Sequence, residues 1–327
     1  MAHPDPGGRA LSSSTAPDSV GAPGALAIVG VTASGKSAVS LALARRLGEA
    51  EIISVDSMQV YRGMDIGTDK PSAAVRAEVP HHLIDVADPS QDYSLTMFQQ
   101  AARQARSGIS GRGRVAVLVG GTGLYHRAVI DDLEIPGRYP ETAADLDTVP
   151  DTVALHRRLT DLDPVAATRM EPTNRRRIIR ALEVTVGSGR PFSSYGPGLN
   201  QYPPRDIAQF GLSLPRSEVD RRIEQRYHQQ IEAGFPAEVE ALAARRPPLS
   251  RTASQALGYK ELLAHLSGEV SLDEAVALAI TRTRQFARRQ ERWFRRDPRI
   301  IWLDADGEAG ALAEEVLAHR NSGIAQG

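Results

Sequence analysis

The sequence predicts an α/β protein: a parallel sheet flanked by helices, interrupted by an inserted all-helical domain. Three observations carry the prediction. Short β-branched apolar runs alternate with stretches of helical spacing, as in a parallel sheet covered on both faces. The first run leads into a glycine-rich turn followed directly by helical spacing. From about residue 136 to about 204 the strand runs cease and helical spacing prevails, after which strands resume. The expected organisation is a discontinuous core of residues 24–135 and 205–320 around an insertion of residues 136–204, with tails at 1–23 and 321–327.

Residues 1–23 are rich in Pro, Gly, Ser and Ala, carry Asp5 and Asp18, and lack the basic start and apolar stretch of a secretory signal. They are expected to be a disordered tail. Residues 25–29 (ALAIV) read as a buried strand ending at Gly30, and Val39, Leu41, Leu43 and Leu47 mark a helix over 35–47. Residues 51–55 (EIISV) and 115–119 (VAVLV) are two further buried strands, the latter ending in Gly120 and Gly121, with a helix over 92–106 before it. Residues 135–151 hold three prolines and the acids Glu141, Asp145, Asp147 and Asp151. Helical spacing then runs over 152–188, broken at Pro164 and Pro172, with Asp163 and Thr173 as expected caps. A Gly/Pro/Tyr-rich loop spans 187–204, strand character returns at 207–214, and helices are expected over 217–233, 237–245 and 272–294. A last short strand is expected at 300–303.

Composition narrows the function. The 327 residues, 41% hydrophobic and 24% charged, suit a core of one large interrupted domain or two domains. Without cysteine there is no disulfide framework, thiolate metal site or cysteine nucleophile. No apolar run approaches the roughly 18–20 residues of a membrane span, so no membrane partner is expected and the cytoplasm is the expected compartment. No exposed heptad seam is visible, so a monomer is expected. The net charge of −1 hides an asymmetry: Lys36, Lys70 and Lys260 are the only lysines. Arginines gather at 151–190 and 281–299, where eight stand against five and two acids respectively. Two such clusters read either as solvated helix faces or as a basic surface for a polyanion.

Gly30-Val31-Thr32-Ala33-Ser34-Gly35-Lys36-Ser37 fits G-x-x-x-x-G-K-[ST] between a predicted strand and a predicted helix. Its glycines let the backbone wrap around phosphate so that N–H groups point at the oxygens. Lys36 supplies a point charge, and Ser37 a hydroxyl for Mg²⁺, the expected cofactor. The fold is thus P-loop NTPase-like, binding ATP or another di- or triphosphate. The motif does not name a reaction, since NTPases, small-molecule kinases and alkyl transferases all use it.

Around this cradle, Asp56 directly follows the second strand, at the edge where open α/β sheets bind ligands. It is placed to hold Mg²⁺ through water, to take a proton from an acceptor, or simply to cap its loop. Residues 56–68 are too polar for core and too mixed for a linker, and read as an ordered functional loop. Thr122, in Gly120-Gly121-Thr122-Gly123, either aims its hydroxyl at the acceptor or phosphate, or caps the next helix. Arg222 and Arg226 share a helix face, where Glu218 and Glu224 make plain surface pairs the simpler reading. Tyr259, near Gln255, is a candidate to stack on a base. Residues 281–296 form a helix whose Phe286, Trp293 and Phe294 suit a core, while its arginines suit a phosphate backbone.

At these residues the chain resembles the tRNA dimethylallyltransferase (tRNA isopentenyltransferase) family. The matching stretches are GVTASGKS, EIISVDSMQVYRGMDIGTDKP, PHHLIDV, LVGGTGLY, DPVAATRMEPTNRRRIIRALEV, RRIEQRYHQQIEAGFPAEVEAL, QALGYKE and TRTRQFARRQERWF, in family order from about residue 25 to about 303. The resemblance implies transfer of a dimethylallyl group from dimethylallyl diphosphate to the exocyclic amine of the adenosine 3′-adjacent to the anticodon, with release of diphosphate. The P-loop would then hold the donor's diphosphate rather than ATP. Asp56 matches the family's general base, Thr122 a threonine near the acceptor, and Arg226 an arginine on the diphosphate, which reverses the surface reading of Arg226. The insertion would grip the anticodon stem-loop. The resemblance puts Asp56, Ser57, Met58, Gln59, Thr122, Arg176, Arg177, Arg180, Gln255, Tyr259, Gln285, Arg288 and Arg289 at the tRNA.

The chain departs from the family pattern in two places. Val31 stands where members usually carry proline, and Thr142-Ala143-Ala144 where many carry an arginine. Rival readings are an adenylate isopentenyltransferase acting on AMP, which needs no stem-gripping insertion, a small-molecule P-loop kinase, which needs an Arg-bearing lid, and a non-catalytic RNA-binding module, which needs neither Asp56 nor Thr122.

Overall fold

The computed structural model describes residues 24–196 and 198–324, so the predicted tail at 1–23 lies outside the described residues. Strand β1 (Leu26–Gly30) runs into α1 (Lys36–Leu47) and β2 (Ala50–Ser54). A short α2 (Ala73–Glu78) and a two-residue β3 (His81–His82) precede α3 (Leu95–Gly111), β4 (Val115–Gly120) and α4 (Gly123–Ile130). Four helices follow without a strand: α5 (Pro140–Asp147), α6 (Thr152–Leu162), α7 (Pro164–Thr168) and α8 (Arg175–Ser188). After a 3₁₀ turn at Phe192–Ser194 come β5 (Ala208–Ser213), α9 (Arg216–Glu232), α10 (Phe235–Ala243) and α11 (Arg251–Ser254). The described chain ends with α12 (Tyr259–Leu266), α13 (Leu272–Phe294), β6 (Ile300–Asp304) and α14 (Ala309–Ile324). Helix α14 carries order past the boundary at 320 read from the sequence.

The six strands form one sheet in the order β3-β2-β4-β1-β5-β6, and every pairing is parallel. Parallel strands need helical crossovers, which is why both faces are covered and the central strands are buried throughout. On one face Leu26, Ile28, Val117 and Phe210 pack against Val39 and Leu43 of α1 and Leu312 and Val316 of α14. On the other, Ala27, Ile53 and Leu118 meet Phe98 of α3, Ile130 of α4, Ile223 and Tyr227 of α9, and Ala287 of α13. The C-terminal ends of β1, β2 and β4 therefore open on one edge, and their loops share it.

Local chemistry sets the helix ends. Gly35 (φ 88°) turns the chain into α1, and Asp163 caps α7 by accepting from the Ala166 N–H. Thr173 does not cap α8, contrary to the sequence expectation. Asn174 does, its side chain accepting from the Arg177 N–H. Helix α5 occupies the proline-containing stretch before residue 151. Pro140 sits in its first turn, where a missing N–H is harmless.

Helices α5 to α8 bury their apolar faces on one another. Leu146, Leu155, Leu159, Ile178 and Leu182 form a cluster separate from both faces of the sheet. The chain leaves and returns to the core beside α4. The Arg127 guanidinium donates to the Leu199 carbonyl at 2.9 Å and to that of Gln201 at 2.6 Å, and lies over the Tyr202 ring. Arg127 pairs with Asp131, which also takes Arg299 at 2.6 Å. Arg205 donates to the Asp131 carbonyl at 2.8 Å.

Candidate active site

The glycine-rich turn after β1 closes as its residue types require. A Cβ at Gly30 would lie 3.0 Å from the Leu212 carbonyl oxygen and 3.1 Å from Ser34 Oγ, so the loop folds tightly onto β5. The loop bounds a cavity of about 520 Å³, to which Thr32, Ala33, Gly35, Lys36 and Ser37 contribute. Gly30, Val31 and Ser34 support the loop from behind: Val31 packs on the core, and Ser34 is buried with its hydroxyl unpartnered. The Thr32 N–H does not point into the cradle. It donates to Gln290 Oε1 at 2.8 Å, a departure from the expectation that successive loop N–H groups face phosphate.

Lys36 Nζ lies against its own loop and donates to the Val31 carbonyl at 2.5 Å. Burial, and then the Arg226 cation, push its pKa down to about 8, against the pull of Asp56 and Asp69. Arg222 and Arg226 both line the cavity from α9. Arg222 keeps a 2.6 Å pair with Glu218, as the surface reading expected. Arg226 is different. Its nearest carboxylate, Asp69, is 3.9 Å away, and its buried Nε has no partner among the described residues. With its side chain 24% exposed and no closer carboxylate, Arg226 leaves part of its charge at the cavity wall for an anion.

Asp56 lines the same cavity from the loop after β2. Its Oδ1 accepts from the Met58 N–H at 2.8 Å and the Gln59 N–H at 3.3 Å, so it also caps its loop. Gln59 braces that loop: it accepts from Ser54 Oγ and donates to the Thr68 and Asp69 carbonyls. Thr122 stands at the start of α4, but its hydroxyl makes no capping bond. Its Oγ1 instead accepts from the Ser57 N–H at 3.3 Å, joining the loop after β4 to the loop after β2.

The donor set fits an oxygen-liking ion that keeps its waters. The Ser37 hydroxyl and the Asp56 carboxylate both open on the cavity, and no cluster of three or more His, Asp or Glu able to hold a metal exists among the described residues. Mg²⁺ bound through one or two protein oxygens, waters and phosphate has that character.

Two expected RNA contacts change. Tyr259 cannot stack on a base: its side chain is fully buried against Phe235, and its hydroxyl donates to Glu238 at 2.6 Å. Arg180 is engaged within the protein by Glu183 and the Pro136 carbonyl. Arg176 and Arg177 are exposed at the start of α8, as are Gln255, Gln285, Arg288 and Arg289. Met58 is half-buried against the core.

The IPP transferase family profile matches residues 59–297 and the isopentenyl transferase profile residues 23–79. The tRNA dimethylallyltransferase of Desulforudis audaxviator is 46% identical over 304 residues, covering 90% of this chain and 97% of that one. The chain belongs to the tRNA dimethylallyltransferase family. Solved structures agree. The tRNA isopentenylpyrophosphate transferase of Bacillus halodurans is 36% identical with a TM-score of 0.67, over 93% of this chain and 99% of that one. A eukaryotic dimethylallyltransferase caught acting on tRNA is 26% identical with a TM-score of 0.75, over 93% of this chain and 80% of that one.

In this member of the dimethylallyltransferase family, the resemblance implied tRNA contact for the stretch of residues 285–290 that holds Gln290. The residues themselves put Phe286 in a core and Thr68 in the loop of 56–68, and Asp69 and Lys70 were passed over as cavity residues. Gln290 and Phe286 of α13 line the cavity, as do Thr68, Asp69 and Lys70. Lys70 is buried between Asp65 at 2.6 Å and Asp85 at 2.5 Å and fixes the loop that carries Asp69. The one local signal was the position of Gln290, four residues after Phe286 and three before Trp293 on a single helix face. No helix among the described residues is long and apolar enough to cross a membrane.

Proposed function

We propose that this enzyme transfers a dimethylallyl group from dimethylallyl diphosphate to the exocyclic amine of the adenosine 3′-adjacent to the anticodon in tRNA, releasing diphosphate. One observation carries the reading. A single cavity holds a cationic, loop-lined end built around Lys36 and Arg226, and Asp56 opens onto the same space.

The chemistry follows from those groups. As the allylic C–O bond breaks, negative charge grows on the leaving diphosphate. Lys36 and Arg226, which line the cavity together with the glycine-rich loop, supply positive charge to meet it. An adenine amine is a weak nucleophile because its lone pair is delocalised into the ring. The Asp56 carboxylate accepts its proton as the new C–N bond forms. Asp56 Oδ1 is committed to two loop N–H groups, which leaves the second oxygen for that proton. The Ser37 hydroxyl and the Asp56 carboxylate would hold Mg²⁺, which would add to the neutralisation of the leaving group.

The acceptor base must leave its stack to reach Asp56, at a cost of a few kcal/mol. An anticodon loop offers an unpaired base for this, whereas a duplex hides it. We assign the grip on the stem to α5–α8 with Arg176 and Arg177, and contacts nearer the base to Gln255, Gln285, Arg288, Arg289 and the loop of Ser57 and Met58. Radiolabelled dimethylallyl diphosphate offered with an anticodon stem-loop, with AMP or with neither, beside an ATP-hydrolysis control, tests the reading. Label in the stem-loop alone is expected. Label in AMP alone, or ATP hydrolysis without prenyl transfer, overturns it.

A further inference from the structure

Helix α13 reaches the site through its inner face and solvent through its outer one. Gln285, Arg288, Arg289 and Arg292 are exposed, while Phe286, Gln290 and Trp293 face inward. Gln290 is 6% exposed, and both ends of its carboxamide are used. The Thr32 N–H donates to Oε1 at 2.8 Å, and Nε2 donates to the Gly121 carbonyl at 2.8 Å. One end therefore holds the phosphate loop after β1 and the other holds the turn after β4. Only this amide orientation satisfies both partners.

The turn is shaped to receive the helix. A Cβ at Gly121 would fall 2.3 Å from Gln290 Nε2, and one at Gly123 would fall 2.2 Å from Trp293 Cδ1. Neither glycine has a positive φ, so closeness of approach rather than backbone freedom requires them. Thr122 lies between these two contacts, and its hydroxyl holds the Ser57 N–H next to Asp56. The Gly-Gly-Thr-Gly run, read from sequence as a ligand-facing turn, is to this extent a socket for α13.

Packing alone does not call for an amide here. A Met side chain has similar length, yet it would strand the Thr32 N–H and the Gly121 carbonyl without partners. We infer that Gln290 is a positioning residue, whose carboxamide fixes the separation between the phosphate loop and the Thr122 turn and so keeps the two ends of the cavity in register. This rests on the proposed reading that one end takes the diphosphate and the other the acceptor. Reaction rate depends steeply on such registration, since a displacement of about 1 Å is enough for a loss of about a hundredfold.

The test compares wild type, Gln290→Met and Gln290→Glu. Met removes both bonds, while Glu, when ionised, keeps an acceptor for the Thr32 N–H but cannot donate to Gly121, so the Glu variant is read where its rate no longer changes as pH rises. Four quantities are read: the Kd for inorganic diphosphate, the Kd for an anticodon stem-loop, the single-turnover rate with both substrates saturating, and the Tm. In Gln290→Met the single-turnover rate is expected to fall about a hundredfold. Diphosphate affinity weakens severalfold, and stem-loop affinity stays at the wild-type value. Gln290→Glu loses the same rate while keeping its fold, and so decides the matter if the Met variant does not fold. A wild-type rate in either folded variant overturns the assignment. So does a loss of rate and of both affinities in step with the unfolded fraction, the mark of a packing residue. Wild-type protein that binds diphosphate but transfers no prenyl group refutes the functional reading instead, and the diphosphate comparison then decides the role of Gln290 alone.

Discussion

Asp56 caps its own loop and, in the proposed mechanism, also takes the acceptor's proton, and a conservative substitution separates the two. In Asp56→Asn the amide oxygen still accepts from the Met58 and Gln59 N–H groups, so the loop keeps its shape. The proton acceptor is gone. Single-turnover transfer is expected to fall by about 10²–10⁴ with stem-loop affinity unchanged, and a near-normal rate would remove Asp56 as the base. Lys36 makes a second prediction through its pKa of about 8. The anion binds the protonated amine. Below pH 8 the amine is already charged, so donor affinity is flat with pH. Above pH 8 the free enzyme loses the proton, and affinity weakens by up to about tenfold per pH unit. Calorimetric titration with inorganic diphosphate between pH 6.5 and 9.5, within ~1.5 units of that pKa and corrected for the ionisation of diphosphate itself, checks both the slope and the accompanying proton uptake. A flat profile across that range contradicts the buried-amine geometry.

Helix α8 shows how an element can fail without taking the site with it. Leu182 is fully buried in the cluster that α5–α8 make for themselves. Leu182→Ala is expected to destabilise that unit by about 2–5 kcal/mol. Stem-loop binding should weaken while inorganic diphosphate binding stays intact. Equal loss of both ligands would mean that the helical unit and the phosphate loop unfold together. The elements also differ in how well the sequence announces them. Strands β1, β2 and β4 are legible because parallel strands buried on both faces read as unbroken apolar runs. Strand β3 is only His81 and His82, too short for any periodicity. Helix α12 hid in a Gly-Tyr-Lys segment that looks exposed. Its Tyr259 is buried by a partner far along the chain: a Cβ on Gly67 would meet Phe235 at 2.3 Å and Tyr259 at 2.5 Å. Likewise, the glycine-rich turn and Asp56 announce themselves by local pattern. The bonds of Gln290 span 258 and 169 residues, and no local pattern encodes them.

Among the described residues some arginines are spent on the fold and others stay exposed, among them the four proposed to meet phosphate. Arg127 and Arg299 serve Asp131. Arg282 and Arg284 are taken by Glu261 and Glu224. Arg295 stacks on Trp302 at 3.8 Å. Arg176, Arg177, Arg288 and Arg289 remain exposed on two separate elements. Four phosphate contacts through these side chains would give a slope of about −3 in log affinity against log salt for an RNA loop. Fluorescence anisotropy of a labelled stem-loop across a salt series measures it, and a slope near zero would exclude these arginines as phosphate contacts. One further property follows from how the polypeptide crosses to α5 and back. Arg127 of α4 holds the returning backbone at Leu199 and Gln201, Arg205 reaches back to the Asp131 carbonyl just after α4, and Gln99 of α3 holds the departing backbone at Leu133. The two crossings of the four-helix unit thus lie side by side against α3 and α4. A short artificial turn joining them would excise the unit without altering the order of any strand, leaving the sheet and its glycine-rich loop as a smaller protein whose diphosphate binding can be measured alone.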